Sequence, residues 1–353
     1  AADGTITAVK TQSLGNNLGH DTAQGKYNSL VQVDADTYAL AYAADASDGY
    51  ISTFDIAADG TTITEVATLE HDTDNGTFNS LVQVDSDTYA LAYAGTGQDG
   101  FISTFTISSS GVITAVRTQS LGNNLEHDTV HGRYNSLVQV DSDTYALAYT
   151  GDDPDANFSG NGFISTFTIS SSGAITAVKT QSLGNNLEHD TVQGYFNSLV
   201  QVDSDTYALA YSGSDYDGFI STFDIAADGT ITAVKTQSLG NNLEHDESTG
   251  AYNSLVQVDS DTYALAYYGD GNVGFISTFD IAADGTITAV KTQSLGNNLG
   301  HDTAQGKYNS LVQVDADTYA LAYAADASDG YISTFDIAAD GTTITEVATL
   351  EHD

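Results

Sequence analysis

Thr88-Tyr89-Ala90-Leu91-Ala92-Tyr93 decides the fold. Side chains alternate across a β-strand, so Tyr89, Leu91 and Tyr93 share one face, and Ala90 and Ala92 the other. Neither face is polar, which predicts a strand buried on both sides. One bulky face and one small face suit a sheet stacked between neighbours. The bulk of one sheet fills the hollow over the next.

Outward from this strand, the flanking runs also read as strands. Asn79-Ser80-Leu81-Val82-Gln83-Val84 precedes it, and Phe101–Ile107 and Val112–Thr118 follow. All are rich in β-branched and aromatic residues, with Gly, Asp and Ser turns between them. No amphipathic helix is visible. The unit repeats: the aromatic before Asn-Ser-Leu-Val-Gln-Val-Asp stands at 27, 78, 134, 196, 252 and 308, in steps of 51, 56, 62, 56 and 56 residues. Four antiparallel strands per repeat, buried on both faces at this period, describe β-propeller blades.

The expected fold is therefore all-β, a single propeller over residues 1–353 with six four-stranded blades starting near 27, 78, 134, 196, 252 and 308. Residues 1–25 read as a lone fourth strand, near 5–18, plus a loop. That gives 25 strands, one more than six blades need. Residues 1–72 and 282–353 are identical, an offset of 281, so a five-bladed ring matching that period is the alternative. The identity reads as a recent duplication or an excerpt of a longer tandem array.

A His-Asp pair leads each aromatic by seven residues, at His20, His71, His127, His189, His245 and His301, and His352 stands one residue from the chain end. With Asp48, Asp99, Asp217 or Asp329 ahead of the third strand, this resembles the structural Gly-His…Asp network of WD-type propeller blades. The resemblance implies that each His hydrogen-bonds that Asp and marks a blade boundary. It covers only these two positions. No Trp-Asp dipeptide exists, and Asn161 and Val273 replace the Asp in two blades. The competing reading is a ring of metal-binding or acid–base histidines.

Composition narrows the partners. Eight Lys and Arg face 48 Asp and Glu, a net charge of −40. Such a surface repels nucleic acid and anionic membranes and suits cations. Cys, Met and Trp are absent, so no disulfide or thiol chemistry exists. No run is long enough to span a membrane. No signal peptide is visible, and Ala1-Ala2-Asp3-Gly4 reads like the middle of a repeat. A sulfur-free, Asp-rich repeat chain points to an extracellular or cell-surface location.

Two carboxylate patterns are Ca²⁺ candidates. Asp-x-Asp hairpins recur from Asp34/Asp36 to Asp315/Asp317, where turn capping is the commoner role. The enlarged 151–162 loop holds Asp152, Asp153 and Asp155. Sequons stand at Asn75 and Asn157. No nucleophile elbow, phosphate loop or dinucleotide fingerprint occurs.

These features lead to a non-enzymatic extracellular scaffold, adhesin or filament subunit that self-associates through a spare strand at Thr5, Ile6, Thr7, Ala8 and Val9. A propeller lectin binding a glycan or a surface protein is the alternative. A metal-dependent lactonase-like enzyme ranks last, because the channel-side runs carry Asn and Gln but no charge.

Overall fold

The computed structural model describes residues 3–21, 24–151, 160–326 and 329–353. Six antiparallel sheets follow in chain order, each built around four consecutive strands: the chain is a six-bladed β-propeller. The five-bladed alternative is set aside by the sixth sheet. The chain divides into two compact units. Residues 18–188 and 225–231 hold blades 1 to 3, and residues 1–17, 189–224 and 232–353 hold the rest.

Blade 2 shows the pattern. Its strands are Thr77–Gln83, Thr88–Ala94, Gly100–Ile107 and Ile113–Arg117. A short fifth segment, Leu125–Asp128, also pairs with Gly100–Ile107. In blades 2 to 5 the outer strand is thus interrupted by a Gln-Ser-Leu turn and resumes at the His-Asp pair. In blades 1 and 6 that turn is missing and the outer strand runs unbroken, Ile63–Asp72 and Ile344–Glu351.

The two-faced second strand packs as its pattern requires. Leu137, Tyr145, Leu147, Tyr149, Phe167 and Ile169 of blade 3 cover Ala90, Ala92 and Ile102 of blade 2. Blade 2 covers Ala39, Ala41 and Ile51 of blade 1 in the same way. In the other unit, blade 5 sits on Ala208, Ala210 and Ile220, and blade 6 on Ala264, Ala266 and Ile276. Burying each large side chain is worth about 1.5–3 kcal/mol, so the blade-to-blade contacts carry the fold.

The polar residues of the inner run fasten neighbours. Ser80 Oγ accepts from the Leu137 amide at 3.0 Å, and Asn135 Nδ2 donates to the Phe78 carbonyl at 3.1 Å. Thr104 Oγ1 donates to the Gly173 carbonyl in the next blade's hairpin at 2.8 Å. Gly173 has φ 74°, and a Cβ there would lie 2.9 Å from Thr104 Oγ1, so the turn needs glycine.

The expected strand at 5–18 is not a strand. Thr5, Ile6, Thr7, Ala8 and Val9 have no third strand of their own beside them, so no ladder forms. The segment is held against blade 6: Thr334 Oγ1 donates to the Gly4 carbonyl at 2.5 Å, and the Ser13 amide to the His352 carbonyl at 3.3 Å.

Candidate functional site

The chain between each His-Asp pair and the next inner strand builds the site. Asp128 Oδ1 accepts from the Val130 and His131 amides, at 2.9 and 3.1 Å, and fixes the turn. Gly132 then crosses Gly100 so closely that a Cβ on Gly132 would lie 2.2 Å from Gly100 Cα. Next comes a bulge: Arg133 pairs with Thr150, and pairing resumes only at Ser136 with Ala148. The aromatic inside the bulge is forced into the left-handed region. Tyr27, Phe78, Tyr134, Phe196, Tyr252 and Tyr308 have φ of 52 to 57°. This conformation costs an L-residue about 1–2 kcal/mol, and here it is imposed six times on aromatic residues. It turns the rings onto one another. Tyr27, Phe78 and Tyr134 form one row, with centroids 4.4 and 4.5 Å apart. Phe196, Tyr252 and Tyr308 form another, at 4.3 and 4.6 Å.

Around these fixed aromatics, the residues flanking the glycine change from blade to blade. The pairs are Gln24/Lys26, Asn75/Thr77, His131/Arg133, Gln193/Tyr195, Thr249/Ala251 and Gln305/Lys307. In blades 1 to 3 they enclose a cleft of about 330 Å³ whose walls include Lys26, Asn75, Thr77, Gln98 and Arg133 over Tyr27, Phe78 and Tyr134. Arg133 Nε donates to Gln98 Oε1 at 3.1 Å, which aims the guanidinium. Two of the chain's eight cations line this cleft, and among the described residues no acid does. In so acidic a protein, that makes the cleft locally more positive than its surroundings.

Near it in the chain stands a group of titratable residues. The carboxyls of Asp99 and Glu126 lie close enough to act on each other. Burial holds both carboxyls above their usual range, and for Glu126 the charge of Asp99 adds to it. The nearby His131 ring works the other way on Asp99. Asp99 follows the cleft residue Gln98 in the chain, and His131 stands two places before the cleft residue Arg133; neither lines the cleft itself.

The recurrent histidines do something else. His71, His127, His189 and His245 are fully buried and His301 is 6 % exposed. Burial pushes all five down to about 3, so they are neutral. The expected hydrogen bond to the Asp ahead of the third strand is not made: neither ring nitrogen of these five has a partner. Asp99 and Asp217 lie near Glu126 and Glu244 instead. The rings pack. His127 lies edge-on to Tyr149 at 4.7 Å and to Phe167 at 5.8 Å, and a Cβ on Gly100 would meet its Cε1 at 2.4 Å. His20, in blade 1, is half-buried against Tyr42 at 4.8 Å.

In the hairpins, Asp85 and Asp141 Oδ1 accept from the next residue's amide, the turn-capping geometry. Asp152, Asp153 and Asp155 lie outside the described residues. Among the described residues no three His, Asp or Glu groups gather as a metal site. Lys26, His131 and Arg133 escaped the sequence reading. The signal was present: three of the eight cations, Lys26, Arg133 and Lys307, stand one place before the aromatic.

No protein-family model matches the chain, and comparison with curated proteins gives no match. Solved structures do match. The periplasmic gluconolactonase PpgL of Pseudomonas aeruginosa shares 14 % identity at a TM-score of 0.66, over 92 % of this chain and 85 % of its own. A Bacteroides fragilis structure assigned as a 6-phosphogluconolactonase shares 13 % at 0.64, over 92 % and 84 %. AofleA of Arthrobotrys oligospora shares 9 % at 0.52, over 92 % and 89 %. At these identities the likeness is one of fold. It corrects the functional expectation nonetheless. The reading as a non-enzymatic scaffold, adhesin or filament subunit rested on missing catalytic motifs, and propellers named as lactonases share this architecture. Among the described residues no helix is long and apolar enough to cross a membrane. By its structural likeness, the chain is a member of the β-propeller fold class of four-stranded meander blades.

Proposed function

We propose that the cleft of blades 1 to 3 binds a small anionic sugar lactone and that the chain hydrolyses it to the open hydroxy acid. The observation that carries this reading is the acid-free lining, with Lys26 and Arg133 converging over an aromatic floor in a chain of charge −40. Lys26 and Arg133 hold the anionic oxygens. Asn75, Thr77 and Gln98 meet the hydroxyls, and Tyr27, Phe78 and Tyr134 lie under the apolar face of the ring. In the reaction, water oxygen bonds to the lactone carbonyl carbon and the ring C–O bond breaks. His131, near Asp99, takes the water proton as a neutral imidazole and returns it to the leaving ring oxygen, which becomes a hydroxyl. The names of the Pseudomonas and Bacteroides propellers support this reaction class. The sulfur-free acidic composition and the periplasmic neighbour support a secreted or periplasmic location.

The test is pH-stat hydrolysis of 6-phosphogluconolactone and glucono-δ-lactone, corrected for the spontaneous rate. The wild type accelerates the phosphorylated lactone. Arg133→Ala loses about 10²-fold or more, the size of one lost oxyanion or anion contact. A wild-type rate equal to buffer removes the proposal.

A further inference from the structure

Two sheet faces are open among the described residues. On the large face of blade 1, Tyr38, Leu40 and Ile56 are partly exposed and Leu30 is 57 % exposed. On the small face of blade 6, Ala320, Ala322 and Ile332 are partly exposed, and Val312 and Val314 beside them are 53 and 51 % exposed. These are the two halves of a contact that the chain already makes. Blade 6 lays Leu311, Tyr319 and Leu321 on Ala264, Ala266 and Ile276 of blade 5, with Val256 and Val258 alongside. Blade 1 has the sequence of blade 6, and the small face of blade 6 repeats that of blade 5 residue for residue. The polar fasteners are duplicated too. The Leu311 amide donates to Ser254 Oγ at 2.9 Å and Asn309 Nδ2 to the Tyr252 carbonyl at 3.2 Å. Their counterparts are Leu30 and Asn28 on blade 1, and Ser310 and Tyr308 on blade 6.

The start of the chain stands in the way of that contact. In successive blades a third-strand threonine donates to the hairpin glycine carbonyl of the next blade: Thr104 to Gly173 at 2.8 Å, Thr166 to Gly229 at 2.7 Å and Thr278 to Gly341 at 2.8 Å. Thr334 of blade 6 gives the same bond to Gly4. Residues 1–4 and 57–60 are both Ala-Ala-Asp-Gly, and the second copy is the hairpin of blade 1. Gly4 therefore holds the place that Gly60 of an arriving blade 1 would take. Its seat is close: φ is 72°, and a Cβ there would lie 2.7 Å from Val347 Cγ1.

We propose that the partner of these faces is a second copy of this chain. Blade 1 of one copy lies on blade 6 of the other as blade 6 lies on blade 5, and residues 3–16 are a cap that must leave first. Thr334 exchanges Gly4 for Gly60 of the second copy. The N-terminal segment thus restrains association instead of joining copies. The inference stands independently of the lactone cleft.

The test is sedimentation of the full chain across a concentration series at about 150 mM salt, which screens the repulsion between two chains of charge −40. Gly4→Val cannot seat the cap and alters neither face. It associates about 10-fold or more tightly than the wild type, the worth of one displaced hydrogen bond and its contacts. Adding Leu30→Asp returns it to single chains. A chain lacking residues 1–12, which precede all six sheets, shows the same gain, so a folding defect peculiar to the valine does not decide the outcome. Released chains that associate no more than the wild type, whether the blade 1 face stays open or is met within its own chain, overturn the proposal. So does association that survives Leu30→Asp.

Discussion

Blades 1 and 6 are one sequence in two situations. Leu30 is 57 % exposed, while Leu311, its counterpart 281 residues on, is 3 % exposed. Tyr38 is half-buried and Tyr319 fully buried. The small faces invert this: Ala39, Ala41 and Ile51 of blade 1 are fully buried, while Ala320, Ala322 and Ile332 of blade 6 are partly exposed. Blade 1 has its small face covered by blade 2, and blade 6 lays its large face on blade 5. A blade therefore specifies two complementary faces but buries neither by itself. What a residue contributes depends on the neighbouring blade as much as on its own type.

The largest expected effect is on stability. Leu311→Ala costs about 2–5 kcal/mol, the usual range for a buried leucine whose cavity cannot close. Leu30→Ala stays within about 1 kcal/mol, since little is buried there. Denaturant titration of the two variants measures both values, and equal costs would break the comparison.

The next effect is a pH dependence. The folded-state pKa of His301, about 3, lies below its unfolded value near 6.5, so the unfolded chain binds the proton first as pH falls. Its stabilising contribution is complete above about 6.5 and is lost between 6.5 and 3, at roughly 1.4 kcal/mol per pH unit. The same holds for His71, His127, His189 and His245. Buried carboxyls such as Asp128, raised to about 6, oppose this between 6 and 3.8, so the loss steepens below 3.8. His301→Gln removes one histidine's share of the slope. His20→Gln removes less, because burial lowers that half-exposed ring by a smaller amount. Acid unfolding monitored by tyrosine fluorescence reads both, and equal slopes would contradict the assignment.

The smallest effect concerns binding. Lys26 lines the cleft with Arg133, whereas Lys307 sits 5.1 Å from the centre of the Tyr268 ring. Lys26→Ala weakens 6-phosphogluconate about 10-fold, the worth of one charge-assisted hydrogen bond. Lys307→Ala changes it less than about twofold. Calorimetry at low salt distinguishes them, and matched losses would move the anion away from the cleft.

Much of the fold was legible because it follows from one alternation. Tyr-Ala-Leu-Ala-Tyr admits no solvent face, so stacking of sheets was implied, and the Asp-x-Asp pairs read directly as turns. The histidines misled in detail. His-Asp spacing resembles a hydrogen-bonding device, yet the ring is pressed against Gly100 and two aromatics, and which groups close around it is decided by the crossing of Gly132 over Gly100. The left-handed aromatics were not legible, because nothing in Arg133-Tyr134-Asn135 signals a bulge until the Asn135 bond to Phe78 is seen. The functional expectation failed for a related reason. It sought charge within the inner strands, and the charge stands at their mouths, on the residues either side of a constant glycine.

Hydrogen exchange with mass spectrometry tests the dependence on the neighbouring blade most directly, because the peptide Lys-Tyr-Asn-Ser-Leu-Val-Gln-Val occurs twice, at 26–33 and 307–314. In the second copy the Leu311 amide donates to Ser254 Oγ at 2.9 Å and the strand lies under blade 5 packing. In the first, Leu30 is open to solvent. One peptide mass should therefore show two isotopic envelopes of equal intensity, one fast and one slow. A single envelope at all times would mean that the two copies share one environment, and would contradict the account.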